Sequence, residues 1–324
     1  MFKSKIFVII QYLLFIIASA WLIKYCFNKI DINSFYNILI KGNYWMAFWV
    51  FLFSILVYIS RILRWQIILN KVDEKIGFMN NFSAVALGYM VSFIFPRGGE
   101  LVKCAVLKKT NGLSLHKSIS SIFFERLVDI FCLFILIVSL IFGESISKKY
   151  LMLSWINPEK FLQGNNIWIL IAFGIIGILV LAYFYNKFKH KNNWLITFLN
   201  NIKLLLVLLS NLRFLAHTIF IWVSYFLMTY LWFFVFKQTA NLSFFQTFQI
   251  MMVGTIARSL PLPGGAVGAY HLAVAFALTT MNIDKETALG LAFIIHGFQT
   301  IFTIFAGIIA IIWLFVFDKS YRIK

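Results

Sequence analysis

The sequence predicts an all-α polytopic membrane protein with about six full spans and two re-entrant helical hairpins in an inverted repeat. Three observations lead to this prediction. Of the 324 residues, 62% are hydrophobic and only 12% are charged, whereas soluble domains are roughly half apolar and a quarter charged. The apolar residues form continuous runs, unlike the alternating strands of a membrane β-barrel. Two of these runs end at breaks rich in proline and glycine, at 96–99 and 261–265.

The net charge of +18 is explained by the membrane class. The basic residues fall between apolar runs, where the positive-inside rule and anionic lipid headgroups account for them. Nucleic-acid binding is therefore not expected. Cys26, Cys104 and Cys132 are far apart and lack metal-ligand spacing. No metal, no cofactor and no catalytic residue is predicted.

The first half of the chain is predicted to contain three spans and one hairpin. In order, the elements are a span at 6–23, a polar connector at 24–43, a span at 44–63, a short helix at 82–95, a returning helix at 100–107 and a span at 118–142. The apolar segment 82–95 is too short to cross a bilayer, which takes about 20 residues. Because Pro96 to Gly99 interrupt the helix, we expect it to turn back within the membrane.

The second half is predicted to repeat this pattern. A polar loop at 143–166, a span at 167–185 and a connecting or interfacial helix at 194–215 precede a span at 216–236, a short helix at 244–260, a returning helix at 268–280 and a last span at 287–317. We interpret residues 1–324 as one membrane domain whose repeats cover about 44–142 and 216–317. The Pro96 break and the Pro263 break correspond after a shift of about 167 positions.

The distribution of basic residues predicts the orientation. We expect a multi-pass protein of the plasma (inner) membrane with both termini in the cytoplasm. In this orientation, 18 of the 29 Lys and Arg residues lie in cytoplasmic segments, 8 in outer segments and 3 at membrane depth. The cytoplasmic excess favours this topology. The two hairpins then enter from opposite sides, as in transporters that bind substrate near the midplane.

Three arginines, Arg97, Arg126 and Arg258, are predicted to lie at membrane depth, where charged side chains are read as functional. The planar guanidinium binds phosphate oxygens in pairs and stays charged. The returning helices follow Gly98-Gly99 and Pro263-Gly264-Gly265, and a helix N-terminus favours anions. These features together predict an anion-binding cavity suited to a lipid phosphate.

Ion pairing within the membrane is the alternative interpretation. Arg126 with Asp129, and Arg97 with Glu100, are spaced three apart and can neutralise each other. Glu125 and Asp129 share a helix face, so a further cation is expected there, from Arg97 or Arg64. His271 and His296 can contact a headgroup, act as a pH switch or simply pack.

Four motifs carry a resemblance to a known family: SRILRW at 60–65, FPRGGELVK at 95–103, FFERLVD at 123–129 and SLPLPGGAVGAYH at 259–271. With these motifs the chain resembles the lysylphosphatidylglycerol synthase transmembrane-domain family, also called flippase-like. The resemblance implies movement of lipids or lipid-linked sugars between leaflets. Because the chain ends shortly after its last predicted span, we expect no cytosolic aminoacyl-transferase domain. Many members of the family have a glutamate near the position of His271.

The sequence thus predicts a lipid flippase or transporter, not an enzyme, for an anionic phospholipid or a polyprenyl-phosphate-linked lipid. Two alternatives stay open: a membrane enzyme using Glu125 or Asp129, and a non-transporting partner of a lipid synthase or glycosyltransferase. The residues predicted to bind substrate are Arg64, Arg97, Gly98, Gly99, Glu100, Glu125, Arg126, Asp129, Arg258, Pro263, Gly264, Gly265, His271 and His296.

Overall fold

The structure is a computed structural model that describes residues 2–28, 30–71, 76–96, 98–142 and 207–318. The chain divides into two compact units, Met1–Phe142 with Arg213–Lys324, and Gly143–Leu212. Of the second unit only residues 207–212 are described. The predicted loop at 143–166, the span at 167–185 and most of the helix at 194–215 therefore lie outside the described residues.

Among the described residues all regular secondary structure is helical, which confirms the all-α class. In chain order the helices are α1 (Phe2–Cys26), α2 (Ile32–Ile40), α3 (Trp45–Lys71), α4 (Phe78–Ile94), α5 (Gly98–Asn111), α6 (Leu115–Phe142), α7 (Leu212–Phe233), α8 (Phe244–Ser259), α9 (Pro263–Ala266), α10 (Ala269–Thr280) and α11 (Lys285–Val316). Within the described ranges, α3, α7 and α11 are long and apolar enough to cross a membrane.

The predicted polar connector at 24–43 contains a helix, α2, which the sequence prediction missed. Asp31 caps it, accepting a hydrogen bond from the Asn33 backbone N–H at 3.0 Å. Bonds from the Ser34 hydroxyl and the Asn33 amide lower the pKa of the Asp31 carboxyl. On the inner side of α2, the Phe35 ring packs against Phe293 of α11. The sequence predicts a connector here because the polar residues lie at the N-terminal cap and on the outer face of α2.

Helix α3 also differs from its prediction, since it continues past Leu63 to Lys71. The apolar window ended at the arginines of this segment, but Arg64 and Trp65 are fully buried. The Trp65 indole N–H donates to the Ser121 hydroxyl of α6 at 3.1 Å. The helix extends by about two further turns because α6 supplies partners for its polar groups.

Helices α4 and α5 form the first hairpin. They run antiparallel, with Asn80 of α4 donating to Asn111 of α5 at 3.2 Å near their open ends. At the turn, the Gly98 N–H donates to the Phe95 carbonyl at 2.9 Å. With 17 and 14 residues, the helices are about 26 and 21 Å long, shorter than the roughly 30 Å hydrocarbon core.

Helices α8, α9 and α10 form the second hairpin. A capping box between Ser243 and Gln246 starts α8. The turn depends on Gly264 and Gly265, with φ of 68° and 67°, a left-handed conformation that glycine adopts without steric cost. A side chain at Gly254 would meet the Tyr270 ring at 2.9 Å, so a glycine there lets α10 lie close to α8.

The two hairpins meet at their turns. The Phe93 ring of α4 lies against Gly265, where a Cβ atom would be 3.0 Å from it. Helix α4 also packs along α11, with Met90 resting on Gly307 and small residues Ala86, Ala306 and Ala310 buried in the contact. Small residues permit this close helix approach. The packing holds the Pro/Gly breaks of both halves beside one another.

The closest packing in the first hairpin yields a prediction for Gly99. A Cβ atom there would overlap the Gly88 carbonyl oxygen, so Gly99→Ala must push α4 and α5 apart. We expect a loss of about 1–3 kcal/mol, typical of overpacking, measured as a lower melting temperature of the purified protein in detergent. Gly297→Ala is the control, because a Cβ atom at that helical glycine meets nothing within 4 Å. Equal melting temperatures for the two variants would contradict the packing described.

Candidate functional site

A cavity of about 700 Å³ lies between the two hairpins. Helices α3, α4, α6, α7, α8, α10 and α11 all contribute to its wall. Among the described residues, its charged lining consists of Arg61, Arg126, Arg258, Glu100 and Asp129. Three guanidinium groups thus face two carboxylates, and the excess of positive charge suits the cavity to an anion.

The most buried charges lie on the α6 side of the cavity. Glu125 and Asp129 both pair with Arg64 of α3, at 3.5 Å for Arg64 Nη2 to Glu125 Oε1 and 2.8 Å for Arg64 Nη1 to Asp129 Oδ1. The side chains of Arg64 and Glu125 are 0% and 1% exposed. The sequence predicts Arg97 or Arg64 beside these carboxylates. The structure places Arg64 there, while Arg97 lies outside the described residues.

Two further cations, Lys103 and Arg61, join this group. The sequence predicts both on the cytoplasmic side. Lys103 of α5 donates to Glu125 Oε2 at 3.2 Å and lies over the Trp65 and Tyr89 rings. Arg61 Nη1 is 3.6 Å from Glu125 and 3.7 Å from Asp129. If Arg61, Arg64 and Lys103, which pair with carboxylates of α6, are left out of the count, the predicted cytoplasmic total is 15 basic residues, against 8 in the predicted outer segments. Helical spacing put the arginines on one face, but only tertiary structure shows what that face contacts.

Arg61 also links the two halves of the chain. Its Nε donates to the Tyr225 hydroxyl of α7 at 2.8 Å, and its Nη1 donates to the Tyr89 hydroxyl of α4 at 2.9 Å. Both rings line the cavity. These tyrosines carry no recognisable sequence signal, because aromatic residues are common throughout membrane helices.

Arg126 and Glu100 form a separate, more open pair. Arg126 Nε donates to Glu100 Oε1 at 3.0 Å, with the side chains 41% and 42% exposed. The sequence left open an Arg126–Asp129 pair and an Arg97–Glu100 pair. In the structure Glu100 takes Arg126 and Asp129 takes Arg64. Arg126 is therefore held by a contact that an incoming anion can replace.

Arg258 is held differently. Its guanidinium lies over the Tyr270 ring, 4.3 Å from the ring centroid, a cation–π contact. Within the described ranges, no carboxylate forms an ion pair with it. Because Gly254 leaves room for Tyr270, the ring supports Arg258 at the cavity wall. Arg258 thus presents to the cavity a positive charge that pairs with no carboxylate of the described residues.

The two predicted histidines, His271 and His296, have structural contacts. His271 Nδ1 accepts the Gly268 backbone N–H at 3.2 Å, so His271 caps the start of α10. A glutamate at the same helix position would accept that bond in the same way. The His296 ring N–H donates to the Gly265 carbonyl at 3.1 Å, since a carbonyl oxygen only accepts. His296 and Gly265 line the cavity.

The remaining predicted residues form the turns of the hairpins. Gly99 lies inside the α4–α5 contact and Gly98 begins α5, while Pro263 and Gly264 form the α9 turn. In the second hairpin, the returning helix begins at Ala269, four residues after Gly265. Its free N–H groups are partly used by His271, so this helix N-terminus is less open to an anion than the sequence suggested.

These features define a helical membrane protein with a positively charged cavity between two broken-helix hairpins. The model of the family "Lysylphosphatidylglycerol synthase TM region" matches residues 8–307. The chain belongs to this family, as the four sequence motifs predicted. No curated protein and no solved structure matches the chain. Family membership ties the chain to membrane lipids, and the family model is that of the membrane region.

The buried carboxylate yields a stability prediction. Glu125→Gln leaves Arg61, Arg64 and Lys103 with Asp129 alone, and breaking a buried pair on one side costs about 3–5 kcal/mol. Glu100→Gln breaks the exposed pair, which is worth about 0–1 kcal/mol. Thermal unfolding of both variants in detergent is the measurement, and Glu125→Gln is expected to melt at a clearly lower temperature. A loss as large for Glu100→Gln would show that burial does not separate the two pairs.

Proposed function

We propose that the protein is a lipid transporter that moves an anionic phospholipid or a polyprenyl-phosphate-linked lipid between leaflets. The observation that carries this proposal is the cavity between the hairpins, in which Arg258 lacks a carboxylate partner among the described residues. The bound group is the lipid phosphate. Family membership supports a role with membrane lipids.

The proposed membrane arrangement makes both hairpins re-entrant. Helices α4, α5, α8 and α10 have 17, 14, 16 and 12 residues, fewer than the roughly 20 of a typical span. Non-helical backbone at membrane depth is tolerated where it lines a cavity. The order α3 to α6 recurs in α7 to α11, which supports an inverted repeat. The predicted cytoplasmic segments contain more basic residues than the outer ones, which supports cytoplasmic termini in a plasma (inner) membrane.

The charge distribution supports a phosphate as the ligand. Arg258 offers a planar fork of donors, which binds phosphate oxygens in pairs. Arg126 can exchange the Glu100 contact for a phosphate at small cost, because an exposed ion pair contributes about 0–1 kcal/mol. One arginine comes from each half of the chain. A headgroup bound by both would therefore bridge the two halves, as transport at a repeat interface requires.

The same geometry favours transport over the enzymatic alternative. Glu125 and Asp129 are the acidic groups that a membrane enzyme would use, and both contact Arg61 and Arg64. A general acid or base must reach its substrate. Glu125 does not line the cavity, and Asp129, which does, is paired with Arg64 at 2.8 Å. Glu125 is directed to three cations in the protein, which supports a role in positioning those cations.

The test is the binding and transport of a labelled anionic lipid by the full chain in liposomes. Arg258→Gln removes a charged hydrogen-bond donor, worth about 1.5–3 kcal/mol, so the affinity for phosphatidic acid and for a polyprenyl phosphate is expected to fall about 10- to 100-fold. Arg258→Lys keeps the charge without the fork and should lie between. Lys237→Gln, an exposed cation outside the cavity, is the matched control.

Transport that is equal for the wild type, Arg258→Gln and Lys237→Gln would overturn the role of Arg258. If the wild type moves neither lipid above the rate of protein-free liposomes, the transporter proposal fails.

A further inference from the structure

The wall of the cavity contains apolar side chains that also face outward. Ile130 of α6 and Leu260, which follows α8, line the cavity and are 63% and 48% exposed. Leu133 and Leu262 line the same region. We name the set Ile130, Leu133, Leu260 and Leu262 the apolar lip. Its members come from both halves of the chain, where α6 packs against α8.

A polar group lies directly beside the apolar lip. Arg126 is one turn before Ile130, and Phe123 is one turn before Arg126, so the three share one face of α6. Phe123 and Ile130 are exposed, and so is the Arg126–Glu100 pair in part. The pair lies about 17 Å along α6 from its first residue, which is well inside a helix of 28 residues.

An ion pair that is partly exposed on an apolar helix face requires polar surroundings. Charged side chains in contact with hydrocarbon are costly and are found facing a protein interior or a water-filled cavity. Here the polar pair and the apolar lip border the same cavity. The edge of the cavity thus has a charged part next to an apolar part. A lipid has the same arrangement, because its phosphate is next to its hydrocarbon chains.

On this basis we infer that the apolar lip binds the hydrocarbon chains of the lipid whose phosphate occupies the cavity, and that lipid enters sideways past Ile130 and Leu260. The inference rests on the proposed function and adds to it a site for the chains. A lipid can then move its headgroup through the protein while its chains stay in contact with apolar surface. Glycerol phosphate carries the phosphate without the chains, so it cannot contact the apolar lip and is expected to bind far more weakly.

Photo-crosslinking tests the inference directly. The probe is phosphatidic acid with a diazirine in one acyl chain, added to the full chain in detergent. Peptides containing Ile130 and Leu260 are expected to be labelled, and an excess of unlabelled phosphatidic acid should lower this labelling at least fivefold, whereas glycerol phosphate should not. Ile219 of α7 is the reference position, because it is 62% exposed but does not line the cavity, so its labelling should not respond to competitor.

A matched pair of variants adds a second readout. Ile130→Trp fills the lip and is expected to slow transport at least fivefold while the melting temperature stays within a few degrees of wild type. Ile219→Trp makes the same change at an exposed position outside the cavity and should transport at the wild-type rate. If labelling at Ile130 resembles that at Ile219 and Ile130→Trp transports normally, the lip is not the chain site. In that case a loss of binding in Arg258→Gln would still support the proposed function, so the two failures are distinguishable.

Discussion

The structure depends on the neutralisation of two carboxylates inside a bundle of apolar helices. Glu125 and Asp129 of α6 cannot be buried without cations, and Arg61, Arg64 and Lys103 supply them from α3 and α5. Because isolated charges are strongly disfavoured in such surroundings, the three helices are held in one register. The first hairpin is thereby fixed against α3 and α6, and the cavity wall takes its shape from that arrangement.

Small residues complete the constraint. Gly88 and Gly99 let α4 and α5 touch, and a Cβ atom at Gly88 would meet the Lys103 side chain at 2.7 Å, so the same glycine leaves space for a buried cation. Gly254 and Gly265 do the corresponding work in the second hairpin, where they admit Tyr270 and Phe93. Electrostatics and close packing thus act on the same helices. As a result, Arg64 and Lys103 pair with carboxylates of α6, whereas Arg258 lies over the Tyr270 ring at the cavity wall.

The sequence predicted the helical membrane class, the two Pro/Gly breaks and the family, because each depends on local composition or a short motif. It also predicted a cation beside Glu125 and Asp129, and Arg64 was one of the two candidates. It did not predict that Lys103 is buried. A lysine next to a basic loop is expected at the surface, and only the tertiary structure shows that Glu125 of α6 lies beside it. It also offered Asp129 as the ion-pair partner of Arg126, because spacing along one helix cannot show that Glu100 of another helix is closer. The tyrosines around Arg61 and Arg258 give no signal that distinguishes them from other aromatic residues of the membrane helices.

The central claim is that the cavity between the hairpins holds a lipid phosphate beside Arg258. The most direct measurement is an electron cryo-microscopy structure of the full chain in nanodiscs containing phosphatidic acid, with an antibody fragment bound to add mass. The account predicts density for a phosphate within hydrogen-bond distance of the Arg258 guanidinium, continuous with chain density past Ile130. A cavity filled by protein side chains, with Arg258 turned away from it and lipid density confined to the outer surface, would contradict the account.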